Sequence, residues 1–291
     1  MKKLLFSLLF LIAIPLVSAD CSLANLGVCL PEAIFNFFLN ILNAPLEFLI
    51  DLINNLLTEP VNIDSFRYFW IIIVYIITIF YSLMFIYAGY NFLISGYDVT
   101  KREKAKLFIR DTLIMVVMVN ASFYFYGLLL EISALLSAGV INMISNEFFT
   151  INADNFVNVA LEFVFVGLYM IMLLTTLLLF TLRYVLVGAG IILFPLGIFM
   201  YFIPFLNSYG KLIINILLTV IFIPFFSSLI LLIGSLMLDI EMFSDIKILV
   251  MISSFALVNL CLILLLIFVI VKSASGVVNS DAGRLVRGKI G

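Results

Sequence analysis

The chain contains no histidine and only 3 cysteines in 291 residues. The commonest general base and the commonest metal ligand are therefore both missing. Charge is scarce too: 11% of residues are Asp, Glu, Lys or Arg, and the net charge is −2. A soluble domain carries about a quarter charged residues. Apolar residues take their place, at 65% of the chain. No water-soluble fold hides so much apolar surface, so a bilayer must solvate much of it. Phosphate-binding glycine loops, nucleophile–base pairs and dinucleotide fingerprints do not occur. The residue pattern thus points to no catalysis and to no cofactor. Glu131 and Glu162, near the ends of two apolar runs, read as boundary markers.

The N-terminus reads as a secretory signal over residues 1–19. Met1-Lys2-Lys3 supplies the positive start, Leu4 to Val17 the apolar run, and Val17-Ser18-Ala19 a small-residue cleavage motif. The run is short for a spanning helix, which needs about 20 residues. An uncleaved anchor is the alternative. Cleavage places Cys21 and Cys29 in an oxidising compartment, where a disulfide between them is the expected pairing. Cys261 lies in an apolar run and reads as a small core residue.

Residues 20–60 contain one helical pattern. Asn36, Asn40, Asn43, Glu47, Asp51, Asn54 and Thr58 recur in steps of three and four, between Pro31 and Pro60. Pro45 falls on the apolar side and predicts a kink. The expectation is an external amphipathic helix lying in the membrane interface. The alternative is that its polar stripe faces a water-filled lumen or a partner helix.

Residues 61–271 read as a transmembrane bundle. Apolar spans cover 66–94, 107–130 with a continuation towards 141, 159–182, 212–238 and 248–271. Lys101, Arg102, Lys104, Lys106 and Arg110 read as a basic cytoplasmic loop between the first two. The polar stretch 142–158 has no Lys or Arg, and Arg183 closes the third span. Residues 184–206 are apolar but interrupted by Gly188, Gly190, Pro195, Gly197 and Pro204. The tail, 272–291, carries Lys272, Arg284, Arg287 and Lys289.

Basic residues favour the cytoplasmic side. If 184–206 spans, Arg67, Lys211 and the four basic tail residues lie outside, and the bias vanishes. If 184–206 enters and leaves on the cytoplasmic side, Arg67 and Lys247 are the external basic residues of the mature chain and the rule is obeyed. The expected fold is therefore all-α: a polytopic bundle of five full spans plus a broken or re-entrant segment, with six spans as the alternative. Its N-terminus lies outside and its basic tail is cytoplasmic, in the cell membrane.

Three groups invite functional readings. The Lys101–Arg110 cluster is a topology anchor, or a contact for anionic headgroups, nucleic acid or a cytoplasmic ATPase. Arg183 snorkels at the inner interface, or serves as a pathway or subunit-contact residue. The glycines and prolines of 184–206 shape a gate, or permit close helix packing.

The run Tyr87-Ala88-Gly89-Tyr90 … Gly96-Tyr97-Asp98-Val99-Thr100-Lys101-Arg102-Glu103-Lys104-Ala105-Lys106 … Ile109-Arg110 resembles a hairpin of polytopic membrane subunits of conjugative type IV secretion systems. Leu182-Arg183-Tyr184-Val185-Leu186 … Phe194-Pro195-Leu196-Gly197 … Pro204 … Lys211 … Ile223-Pro224 resembles the second half of the same family. That family is the TrbL, or VirB-six-like, type, with archaeal relatives in DNA-import (Ced) systems, and the resemblance covers about residues 66–240. Many members carry a tryptophan near the position of Lys211, whereas Trp70 is the sole tryptophan here. The resemblance implies a channel or assembly-platform subunit of a complex moving DNA or protein across the cytoplasmic membrane. Its implied partners are further copies of the chain, a secretion-type ATPase and other translocation subunits. A small-solute or ion transporter and a pilin-like structural protein are the rival readings. The first usually has two broken segments in related halves, and the second is shorter.

Overall fold

A computed structural model describes residues 44–94, 96, 99–145, 148–150, 159–244 and 246–279. The expected signal peptide, Cys21, Cys29, the first half of the amphipathic helix, and Arg284, Arg287 and Lys289 lie outside the described residues.

No strand occurs among the described residues. Hydrocarbon offers no water to backbone N–H and C=O groups, and a helix satisfies them within its own segment. The order is α1 (residues 44–58), a 3-10 turn (Asp64–Phe66), α2 (Arg67–Ile94), α3 (Val99–Ile141), α4 (Val159–Phe202), α5 (Asn207–Met237), the short α6 (Glu241–Ser244) and α7 (Lys247–Asn279). Among the described residues, five helices (α2 to α5 and α7) are long and apolar enough to cross a bilayer. The chain is an all-α, polytopic membrane protein.

Two cores are stacked along the bundle. One packs Val74 and Ile77 of α2, Met115 and Val119 of α3, Ile191 and Ile198 of α4, and Leu217 of α5. The other packs Leu46, Ile53 and Leu57 of α1, Tyr169 and Leu173 of α4, Leu231 of α5, and Met251 and Phe255 of α7. The paired helices α4 and α5 run through both. Lipid tails are as apolar as these side chains, so van der Waals fit, more than water exclusion, holds the helices together. Trp70 ties α2 to α3: its indole N–H donates to the Ser122 hydroxyl at 2.9 Å, and its ring lies 5.4 Å from Phe123.

Four expectations are corrected. Segment 184–206 is neither broken nor re-entrant. Residues 184–202 continue α4 without interruption, and the chain then turns at 203–206 into α5. Pro195 withholds one N–H from α4, yet the helix runs on through it. The cluster Lys101–Arg110 is not a loop but the opening turns of α3. Lys, Arg, Glu, Ala and Leu are strong helix formers, and Ala105 buries the inner face. The amphipathic helix has the periodicity expected, but its apolar face is not laid in lipid. Leu46, Ile53 and Leu57 are buried in the α4–α7 core, while Glu47 and Asp51 stay exposed. The last helix also extends past the expected boundary at 271, to Asn279.

The α4–α5 turn is tight. Pro204, which has no N–H to satisfy, sits within it. The Leu206 carbonyl accepts from the N–H groups of Tyr209 and Gly210 at 2.9 and 3.0 Å. The Asn207 side-chain amide donates to the Tyr201 carbonyl and so caps the end of α4.

Candidate functional site

The first candidate site begins with Pro224, inside α5. Proline has no N–H, so the Val220 carbonyl four residues earlier loses its helical partner. Arg183 of α4 fills the gap. Its Nε donates to the Val220 carbonyl at 3.0 Å and its Nη2 to the Ile221 carbonyl at 3.2 Å. Ser133 of α3 donates to the same Ile221 carbonyl at 2.7 Å. Arg183 is 5% exposed and Ser133 1%. Nearby, the Tyr126 hydroxyl of α3 donates to the Val187 carbonyl of α4 at 2.8 Å. Three helices are thus cross-tied where the two cores meet.

Arg183 therefore does not snorkel to an interface. It is a buried cation whose guanidinium is held by backbone carbonyls, with its fork geometry matched to two successive oxygens. A buried cation in a membrane protein is expensive and stays where it has a task. Here that task includes supplying donors to a proline-broken helix.

Of the two readings of the 184–206 glycines, a gate or close helix packing, the contacts favour packing. A Cβ at Gly188 would stand 2.7 Å from the Phe66 ring, and one at Gly190 2.7 Å from a Leu217 methyl and against the Tyr126 hydroxyl. One at Gly197 would stand 2.9 Å from Ile213. Gly188, Gly190, Pro195 and Gly197 are all buried, whereas Pro204 is exposed at the turn. The four buried ones lie on the packed side of α4, one to four turns from Arg183, and do not converge on one point.

The second candidate site is the basic opening of α3. Lys101, Arg102, Lys104, Lys106 and Arg110 are all exposed. Helical spacing sorts them into two stripes. Arg102, Lys106 and Arg110 recur every four residues on one side, a like-charge array that disfavours the bare helix. Arg110 meets Asp111 at 2.8 Å. Lys101 and Lys104 turn the other way, into a cavity of about 700 Å³ bounded by α2 and the α4–α5 turn. The α2–α3 connection and the α4–α5 turn therefore lie at the same end of the bundle. Cations at a helix N-terminus oppose its dipole, so this end concentrates positive potential.

Sequence reasoning reached Arg183 and the basic cluster but missed Ser133 and Tyr126. The available signal was Pro224. A proline inside an apolar span orphans a carbonyl, and the nearest strong donors in neighbouring spans are its natural partners. Among the described residues no three His, Cys, Asp or Glu side chains converge. No family model, curated protein or solved structure matches the chain.

Proposed function

We propose that the chain is a membrane-embedded channel or assembly-platform subunit of a type IV secretion-like, conjugation-like translocation complex that moves DNA or protein across the cytoplasmic membrane. The observation that carries this reading is the exposed Arg102–Lys106–Arg110 stripe at one end of an apolar five-span bundle. That stripe lies within the segment whose pattern resembles the family hairpin. Held in the cytoplasm, it suits a secretion-type ATPase or a polyanionic substrate. The tight α4–α5 pair and the Arg183 clamp make a stiff spine on which such an assembly can be built.

Further copies of the chain and companion subunits are part of the proposal, and the length of the helices supports them. At 1.5 Å per residue, the 44 residues of α4 extend about 66 Å, roughly twice a hydrocarbon core. Large apolar side chains are exposed from Val164 to Phe205. One bilayer covers about half of that height, and neighbouring subunits would cover the rest.

Charge reversal tests the role of the stripe. Arg102→Glu with Lys106→Glu, introduced in the host, is expected to reduce substrate transfer at least about tenfold while the protein stays in the membrane at normal abundance. Undiminished transfer from normally inserted protein would refute this role.

A further inference from the structure

The cavity beside the basic stripe has an amphiphilic lining. Lys101 and Lys104 stand at one edge, and Asn91 of α2 adds an amide. The rest of the wall is largely apolar, built from Leu83 and Met84 of α2, Phe108 of α3, and Phe199 and Phe205 of the α4–α5 hairpin. At about 700 Å³ it is within the usual range for small-ligand sites, about 300–1,000 Å³. Its depth in the membrane can be read from the side chains around it. Tyr87 and Tyr90 are exposed close to the end of α2, as residues of an interfacial aromatic belt are, and the charged turns of α3 follow at once. The cavity thus sits where the hydrocarbon ends and the headgroup layer begins.

Each part of the lining matches one part of a single class of molecule. Ammonium groups at headgroup depth suit a phosphate, and aromatic and aliphatic walls facing the hydrocarbon suit an acyl chain. A zwitterionic lipid brings its own cation towards the lysines, whereas an anionic lipid does not. We infer that this cavity is a binding site for an anionic membrane phospholipid, with its phosphate on Lys101 and Lys104 and a hydrocarbon chain between α2 and the α4–α5 turn. Such a lipid would wedge the α2–α3 connection against the α4–α5 hairpin. The inference does not depend on the translocation reading, which rests on the opposite stripe of α3.

The test is native mass spectrometry of the full chain released from vesicles of equimolar phosphatidylglycerol and phosphatidylcholine. Phosphatidylglycerol is expected to be retained in preference. Lys101→Gln with Lys104→Gln is expected to cut retention to about a tenth. Leu83→Trp, which narrows the apolar wall and leaves both lysines in place, is expected to cut it as well. Arg102→Gln with Lys106→Gln removes the same charge from the other stripe and should leave retention unchanged. All these positions are exposed, so the variants are expected to fold, with elution volume and circular dichroism as the check. Equal retention of the two lipids overturns the inference. So does a loss in the Arg102/Lys106 variant as large as that in the Lys101/Lys104 variant, which would mean diffuse surface attraction. Full retention in Leu83→Trp also overturns it, because no chain would then occupy the cavity.

Discussion

Replacing Arg183 with alanine is expected to destabilise the protein in detergent by about 2–4 kcal/mol, and replacing Pro224 with alanine as well is expected to recover much of that loss. The first effect has two sources. Truncation leaves a cavity between α4 and α5, and it leaves the Val220 carbonyl without a donor inside the bundle. The second effect follows from the reason the carbonyl needs Arg183 at all. An alanine at 224 restores the N–H that proline lacks, and the helix can then satisfy Val220 itself. Pro224→Ala alone should change stability by about 1 kcal/mol or less, since the restored N–H and the guanidinium share one acceptor. Arg183→Met separates volume from charge. It fills much of the space without a buried cation, so it should cost less than alanine, and Arg183→Met with Pro224→Ala should lie closest to the unsubstituted protein. Trp70, the sole tryptophan, sits in the adjoining core and reports unfolding by its emission. Additive losses in this double-mutant cycle would show that Pro224 is not what Arg183 serves.

The second large effect is expected at Gly210. A Cβ there would meet the backbone of Tyr201 and stand 2.7 Å from the Gly197 carbonyl oxygen. Both obstacles are main chain of the paired helix, so no rotamer change relieves the clash. Gly210→Ala is expected to cost about 3 kcal/mol, at the upper end for overpacking, and Gly210→Val to prevent the α4–α5 hairpin from closing. Gly89 is the control. It lies inside α2 with nothing within 4 Å of an added Cβ. Gly89→Ala should stabilise by about 0.5–1 kcal/mol through helix propensity. The pair separates glycine as a contact from glycine as a weak helix former, read as the change in thermal midpoint in detergent. A tolerated Gly210→Val would contradict the packing described for the hairpin.

The spanning helices were legible because hydropathy alone defines them, and each of the five expected apolar runs overlaps one observed span. Segment 184–206 was misread for a physical reason. Glycine and proline break helices in water, but in a membrane protein neighbouring helices can satisfy a freed carbonyl and fill the space a glycine leaves. Gly188, Gly190 and Gly197 mark where α4 is approached by Phe66, Tyr126, Leu217 and Ile213, contacts invisible to a local pattern. The period of α1 was visible in Glu47, Asp51, Asn54 and Thr58. Its docking on Tyr169 and Phe255 was not, because periodicity gives a face and not its partner. The helix formers Lys101 to Lys106 carry the helical start of α3 in their composition, whereas their charge speaks only to topology. Arg183 was noticed as a charge at the end of a span. Its burial became legible only with Pro224, 41 positions away in sequence and opposite in space.

These features fit one mechanical arrangement. Two cores are stacked on the α4–α5 spine, hydrogen bonds around Arg183 and Ser133 tie α3, α4 and α5 where the cores meet, and the basic end presents two differently directed charge stripes. Under the proposed function, that exposed apolar height is where neighbouring subunits would pack. The most direct test is to crosslink native membranes, extract the chain in mild detergent through a C-terminal tag, and determine the mass and composition of what is recovered. The account predicts an assembly with several copies of the chain and a secretion-type ATPase, whose crosslinks fall on Arg102 and Lys106. A monomer or simple dimer free of any such partner would contradict it.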